Sequence, residues 1–299
     1  MDPISADQLV EHSLSNANKA LQEHLKGDVL WIKAPMLPPV DDIVRVEVEG
    51  IREAKETTTN KLVVLVETEG GFVETVERIV GVLRRHYQTV TFIVPSFAYS
   101  AGTLLVMSGD EIYMDYYSIL GPIDPQYPGE DGSYVPGMGY LAKFKELLAT
   151  VNNPPNGDDN KVKGELALLI KKFDPAKLFH IEQSVDHAKS LLKEWLPKYK
   201  FKSWDKTSTG KFVAYENKVA RAEQIADVLG NAERWHSHGR GITVHELESE
   251  EIKLQITDFG ADQELNPLIR NYSGLFINYL KKQGIRGALH SVRGIRRVL

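Results

Sequence analysis

The stretch VTFIVPSFAYSAGTLLVMSGDEIYMDYYSILGPIDPQ, Val90 to Gln126, decides how this chain folds. Thr91 to Val94 are β-branched or aromatic, a run suited to a buried strand. Pro95, Ser96 and Tyr99 break that pattern, and from Ser100 the small residues Ala101 and Gly102 open an apolar segment, Thr103–Met107, long enough for a short buried helix. Ser100 therefore falls where a strand turns into a helix. A serine there has two readings. It is most often an N-cap. It is also well placed as a nucleophile, because a sharp turn exposes the hydroxyl and the first helical N–H groups have no partner within the helix. On the second reading the Ala101 N–H would hold one side of a tetrahedral oxyanion, with a second donor from elsewhere. The candidate is the pair Gly70-Gly71, which follows another apolar run, Lys61–Glu67. Glycine lets backbone come close to a ligand, as an N–H aimed at a substrate carbonyl requires.

Working outward, apolar spacing predicts an amphipathic helix over 5–25, a strand over 28–33 closed by the Pro-rich turn 34–39, and a helix over 41–56. Val46-Glu-Val-Glu within the last of these also alternates like a strand. Residues 61–67 read as a strand, 72–86 as a helix, 89–94 as a strand, 100–109 as a helix and 111–115 as a short strand. This alternation implies an α/β fold of repeated βα units on a mainly parallel sheet. Gly70-Gly71 and Ser100 then both lie at C-terminal strand ends, where such sheets put their ligands. The turn-rich loop 127–137 is expected near the mouth of the site, and Asn152–Lys161 reads as a disorder-like loop open to proteolysis. Additional helices follow at about 138–151, 162–172, 175–197, 217–229 and 266–282, with Thr243 and Glu246 spaced for a capping box. The expected organisation is an N-terminal helical extension over 1–27, a main domain over 28–282 and a basic tail over 283–299, either disordered or a partner-binding arm.

Composition narrows the class. At 299 residues, with 42% hydrophobic and 26% charged content, the chain can bury a sizeable core. A net charge of −5 argues against a general nucleic-acid binder. With no cysteine, disulfides, thiol catalysis and thiolate metal sites are excluded together. There is no basic start followed by an apolar core, and no apolar run near the ~20 residues a membrane span needs, so the expectation is a cytoplasmic protein without an integral membrane segment.

Gly70-Gly71 after a strand, Ser100-Ala101-Gly102-Thr103 after the next, Asp110-Glu111-Ile112 and Gly121-Pro122-Ile123-Asp124-Pro125-Gln126 together resemble the serine dehydrogenase proteinase family. That family sits with signal peptide peptidases and the proteolytic subunit of Clp protease in the Clp/crotonase superfamily. The similarity is strongest over 60–145 and returns weakly near 217–245. It implies a Clp/crotonase-like fold, a serine peptidase acting on protein or peptide substrates, assembly into homo-oligomers, and no cofactor or metal. The helix at 5–25 is expected to pad the core or a neighbouring subunit, and the apolar helices at 5–25 and 175–197 are the candidate assembly surfaces. Glu69 stands where the Clp-type motif usually has proline, which puts an unusual charge beside the oxyanion hole.

A serine hydroxyl needs a base. In the Clp protease subunit this is a histidine following the nucleophile, but no histidine lies between Ser100 and Lys143 here. Signal-peptide-peptidase-like relatives use lysine, and the resemblance around Tyr140–Lys143 points to a Ser100–Lys143 dyad, with Gly70, Gly71 and Ala101 as the oxyanion hole. Lysine's ordinary pKa of about 10.4 would have to fall toward roughly 7–8 through burial, with Leu141, Phe144 and the 127–137 loop as the dry wall. A lysine on an amphipathic helix is otherwise simply solvated. Lys145 and His180 are reserve bases. Asp124 either orients a base or caps a turn. His236, His238 and His245 lack the clustered carboxylates or cysteines of a metal site, and His238 and Arg240 read as shaping a turn or a subunit contact. Two rival readings share the fold: a crotonase-type acyl-CoA enzyme, and a non-catalytic oligomeric scaffold.

Overall fold

The computed structural model describes residues 5–54, 59–123, 126–128, 134–153, 159–207, 209–235 and 240–298. The chain runs α1 (Ala6–Leu25), β1 (Asp28–Lys33), α2 (Val40–Glu53), β2 (Lys61–Glu67), α3 (Val73–His86), β3 (Thr89–Ile93), β4 (Phe97–Ala98), α4 (Ala101–Met107), β5 (Glu111–Met114) and β6 (Ile119–Leu120). Then come β7 (Gln126–Pro128), β8 (Tyr134–Pro136), α5 (Gly137–Asn152), α6 (Asp159–Lys172), α7 (Pro175–Trp195), α8 (Tyr215–Leu229), α9 (Ala232–Trp235) and α10 (Val244–Glu248). The chain continues with β9 (Thr257–Asp258), α11 (Leu265–Gln283), β10 (Ala288–Ser291) and β11 (Gly294–Arg297).

The main sheet has the order β11-β10-β1-β2-β3-β5-β9, with β1, β2, β3, β5 and β9 parallel. Its central strands read as continuous apolar runs because both faces are covered. Leu62, Val64 and Val66 of β2 pack with the α2, α3 and α4 side, while Val63 and Leu65 pack with α1 and α11. The α/β fold of repeated βα units with additional helices is therefore what the chain adopts. The Val46-Glu-Val-Glu ambiguity resolves as helix, since Val44, Val48 and Ile51 are buried at helical spacing in α2.

Both terminal segments pack on the main sheet. Helix α1 pads the core: Leu14, Asn18 and Leu21 are buried, and Asn18 Nδ2 donates to Val29 O at 3.2 Å and to Tyr272 Oη at 3.0 Å. Most of its apolar stripe is covered by its own chain, with Leu9 left exposed. Residues 284–298, expected as a disordered or partner-binding tail, carry two strands of that sheet. There β10 pairs antiparallel with β1, matching Trp31 to His290, and β11 closes the sheet edge. Two of the arginines there have a partner inside the fold: Arg293 and Arg296 both reach Glu47, a buried carboxylate of α2, at 3.4 and 3.3 Å. Arginine on an edge strand also discourages pairing with another chain.

Candidate active site

The sheet brings the ends of β2 and β3 side by side, and a short second ladder joins the loops that follow them. Thr68 N–H donates to Phe97 O at 3.2 Å and Tyr99 N–H to Thr68 O at 3.0 Å. Ser100 follows at once as the residue before α4. Its backbone is at φ 53°, ψ −116°, outside the regions a side-chain-bearing residue favours. Its carbonyl accepts the Thr103 and Leu104 N–H groups at 2.9 and 3.3 Å, so the helix is anchored on this residue. Among the described residues its hydroxyl caps nothing. The N-cap reading thus holds for the backbone position and not for the side chain. A serine forced into a sharp strand-to-helix turn with a free hydroxyl has the geometry of a nucleophile elbow.

Glycines make room for that turn. A Cβ on Gly70, at φ +98°, would meet Tyr99 O at 2.8 Å and Ser100 Cβ at 2.9 Å. A Cβ on Gly121 would meet Ser100 N at 3.1 Å. The Gly70 N–H is already used, donating to Thr68 Oγ1 at 3.1 Å. A strap at Met36 takes one edge of the glycine segment: Met36 N–H donates to Gly70 O at 2.7 Å, and Phe72 N–H to Met36 O at 2.8 Å. Successive N–H groups of an extended chain point to opposite sides, so the Gly71 N–H points away from the strap. Neither Gly71 nor Ala101 donates its N–H to an acceptor among the described residues.

Over residues 38–134 the chain matches the family of ClpP-like, SDH-type serine proteinases. This is the recognition drawn above from the Gly70-Gly71 and Ser100–Thr103 motifs. Two uncharacterised proteins of Methanocaldococcus jannaschii are 39% and 40% identical over 62 residues, a segment spanning 21% of this chain and only 21% and 22% of those relatives' lengths. ClpP1 from Listeria monocytogenes is similar in structure at 11% identity and a TM-score of 0.39, covering 80% of this chain and 95% of that one.

Lys143 is on α5, its side chain 56% exposed and its Nζ 3.0 Å from Glu146 Oε1. Among the described residues, Leu141 and Phe144 do not wall it in. Leu141 and Phe144 face a small cluster with Tyr140, Phe173, Leu178 and Ile181, on another side of the helix from Lys143. Lys145 and His180 are exposed too. Asp124, His236 and His238 lie outside the described residues, as does much of the 127–137 loop. His245 is exposed, and Arg240 pairs with Glu246 at 3.3 Å inside its own turn. Thr243 N–H donates to Glu246 Oε2 at 2.8 Å, the expected capping interaction. Among the described residues no three His, Asp or Glu side chains gather as metal ligands, and no helix is long and apolar enough to cross a membrane.

Three supporting residues escaped the sequence reading. Thr103 Oγ1 lies 2.9 Å from Ala98 O and 2.8 Å from Gly121 O, and it accepts the Gly121 N–H at 3.1 Å. It ties the turn before the serine to the Gly121-Pro-Ile segment. Thr68 and Met36 hold Gly70 from its other sides. A lone hydroxyl inside the otherwise apolar run 101–107 was the available signal for Thr103; Met36 gave none. Tyr99 packs over Gly121, and partial burial, then the neighbouring Tyr117, pushes its hydroxyl above the ordinary tyrosine value.

Proposed function

We propose that this chain hydrolyses peptide bonds through an acyl-enzyme on Ser100. The Ser100 oxygen attacks the peptide carbonyl, the hydroxyl proton passes to a base and then to the leaving amine, and water releases the acyl group. The Gly71 and Ala101 N–H groups hold the oxyanion, with Gly70 setting how closely that strip approaches the serine. The observation that carries the reading is the left-handed backbone of Ser100, which has a free hydroxyl beside Gly70. The family match over 38–134 supports it. Lys143 is the proposed base. For that role it must leave Glu146 and be enclosed, by substrate or by a second copy of the chain, since an open ion pair is not the dry setting a neutral lysine needs.

The test compares wild type, Ser100→Ala and Lys143→Ala in fluorogenic-peptide hydrolysis, with intact-mass detection of a fluorophosphonate adduct. The reading expects wild type to cleave and label, and both variants to lose roughly a thousandfold or more. Loss in Ser100→Ala alone moves the base elsewhere, with Lys145 and His180 next. If assembled wild type neither cleaves nor labels, the peptidase reading fails and the scaffold reading replaces it.

A further inference from the structure

Resting on that reading, we propose that Glu69 selects substrates carrying a lysine or arginine close to the cleaved bond. With Met36 on one edge of Gly70–Phe72, a substrate whose carbonyl sits on the Gly71 N–H must lie along the other edge. Its side chains then step past this strip at about 3.4 Å per residue. The charges along the strip are not balanced. Glu67 is buried and neutralised by Lys33, whose Nζ is 2.6 Å away. Glu69 and Glu74 are exposed, and neither has a hydrogen bond or ion pair among the described residues. Glu74 has a local role, in the first turn of α3 where a carboxylate favours the helix dipole. Glu69 has none and stands two residues before Gly71. An exposed carboxylate without a partner among the described residues suits a basic side chain better than an acidic or neutral one.

The experiment uses the full chain and matched fluorogenic peptides in which one residue, at each position within three of the cleaved bond, is Lys, Gln or Glu. Every rate is taken as kcat/KM relative to the Gln peptide of the same variant. At one position wild type is expected to prefer Lys over Gln by roughly three- to fivefold and to disfavour Glu by a similar factor. The preference should shrink as salt shortens the screening length. Glu69→Gln should bring the three peptides together, and Glu69→Lys should reverse their order. An unchanged order in both variants overturns the proposal while leaving Ser100 chemistry standing. Absence of both hydrolysis and a fluorophosphonate adduct in wild type overturns the Ser100 reading and this one with it.

Discussion

Replacing Gly70 by alanine tests whether the approach of the glycine strip to Ser100 is as tight as the geometry requires. At φ +98° an alanine is strained by about 1–3 kcal/mol whatever space surrounds it. Its methyl would also sit 2.8 Å from Tyr99 O and 2.9 Å from Ser100 Cβ, one a backbone atom and the other in the strained turn. Relieving those contacts moves Ser100 or the strip and adds about 1–3 kcal/mol. The expected loss of stability is therefore about 2–6 kcal/mol, read as a lowered midpoint in urea unfolding at unchanged slope. Displacing the nucleophile by a fraction of an ångström to 1 Å should also slow fluorophosphonate labelling by up to about a hundredfold. Gly81→Ala is the internal control. It lies on the exposed face of α3, and an added Cβ there meets nothing within 4 Å. That variant should gain about 0.5–1 kcal/mol from helix propensity and label like wild type. If Gly70→Ala unfolds at the wild-type midpoint and labels at the wild-type rate, the reasoning about this contact is wrong.

Further outcomes follow from other parts of the fold. Thr103→Val should cost about 2 kcal/mol in urea unfolding because it removes the hydroxyl joining Ala98 and Gly121, and Thr103→Ser should recover most of it; equal losses in the two variants would assign the effect to packing. His290, 1% exposed, is held neutral by burial, with its pKa pushed down to about 4 from 6.5. The unfolded chain therefore takes up this proton first. Stability present above pH ~6.5 is lost as pH falls toward ~4, by about 2 kcal/mol at pH 5; urea midpoints at pH 7 and 5 should show this loss, and His290→Phe should lack it. Glu47→Ala leaves Arg293, Arg296 and the Ser291 hydroxyl without their shared acceptor and should cost about 3 kcal/mol by the same assay. Deleting 287–299 strips β10 from β1, so it should give an insoluble or unfolded chain, whereas a dispensable arm would leave a soluble, cooperatively folding one.

Much of the frame was legible along the chain because it rests on local periodicity and on glycine. Strands 28–33 and 61–67 coincide with their apolar runs, and the helices α3 and α4 begin one residue after the expected starts. The position of Ser100 at a strand-to-helix junction and the glycine pair at the neighbouring strand end needed only neighbours within a few residues. What joins them did not. Met36 reaches Gly70, and Thr103 reaches Gly121, through contacts that depend on which strands lie side by side. The run Ala288–Ser291 is too short to announce a strand between glycines and arginines, yet it pairs with β1 from the far end of the chain. Lys143 shows the same division: its sequence neighbours Leu141 and Phe144 promised a dry pocket, but the helix turns both toward α7 and leaves the lysine facing water. The sequence alone determined the order of βα units, the serine at its junction and the flexible glycines beside it, because short-range sterics and burial patterns decide those. Only the tertiary structure decided the strained conformation of Ser100, the hydroxyl and strap that hold it, and the exposure of the proposed base, because each depends on contacts between segments distant along the chain.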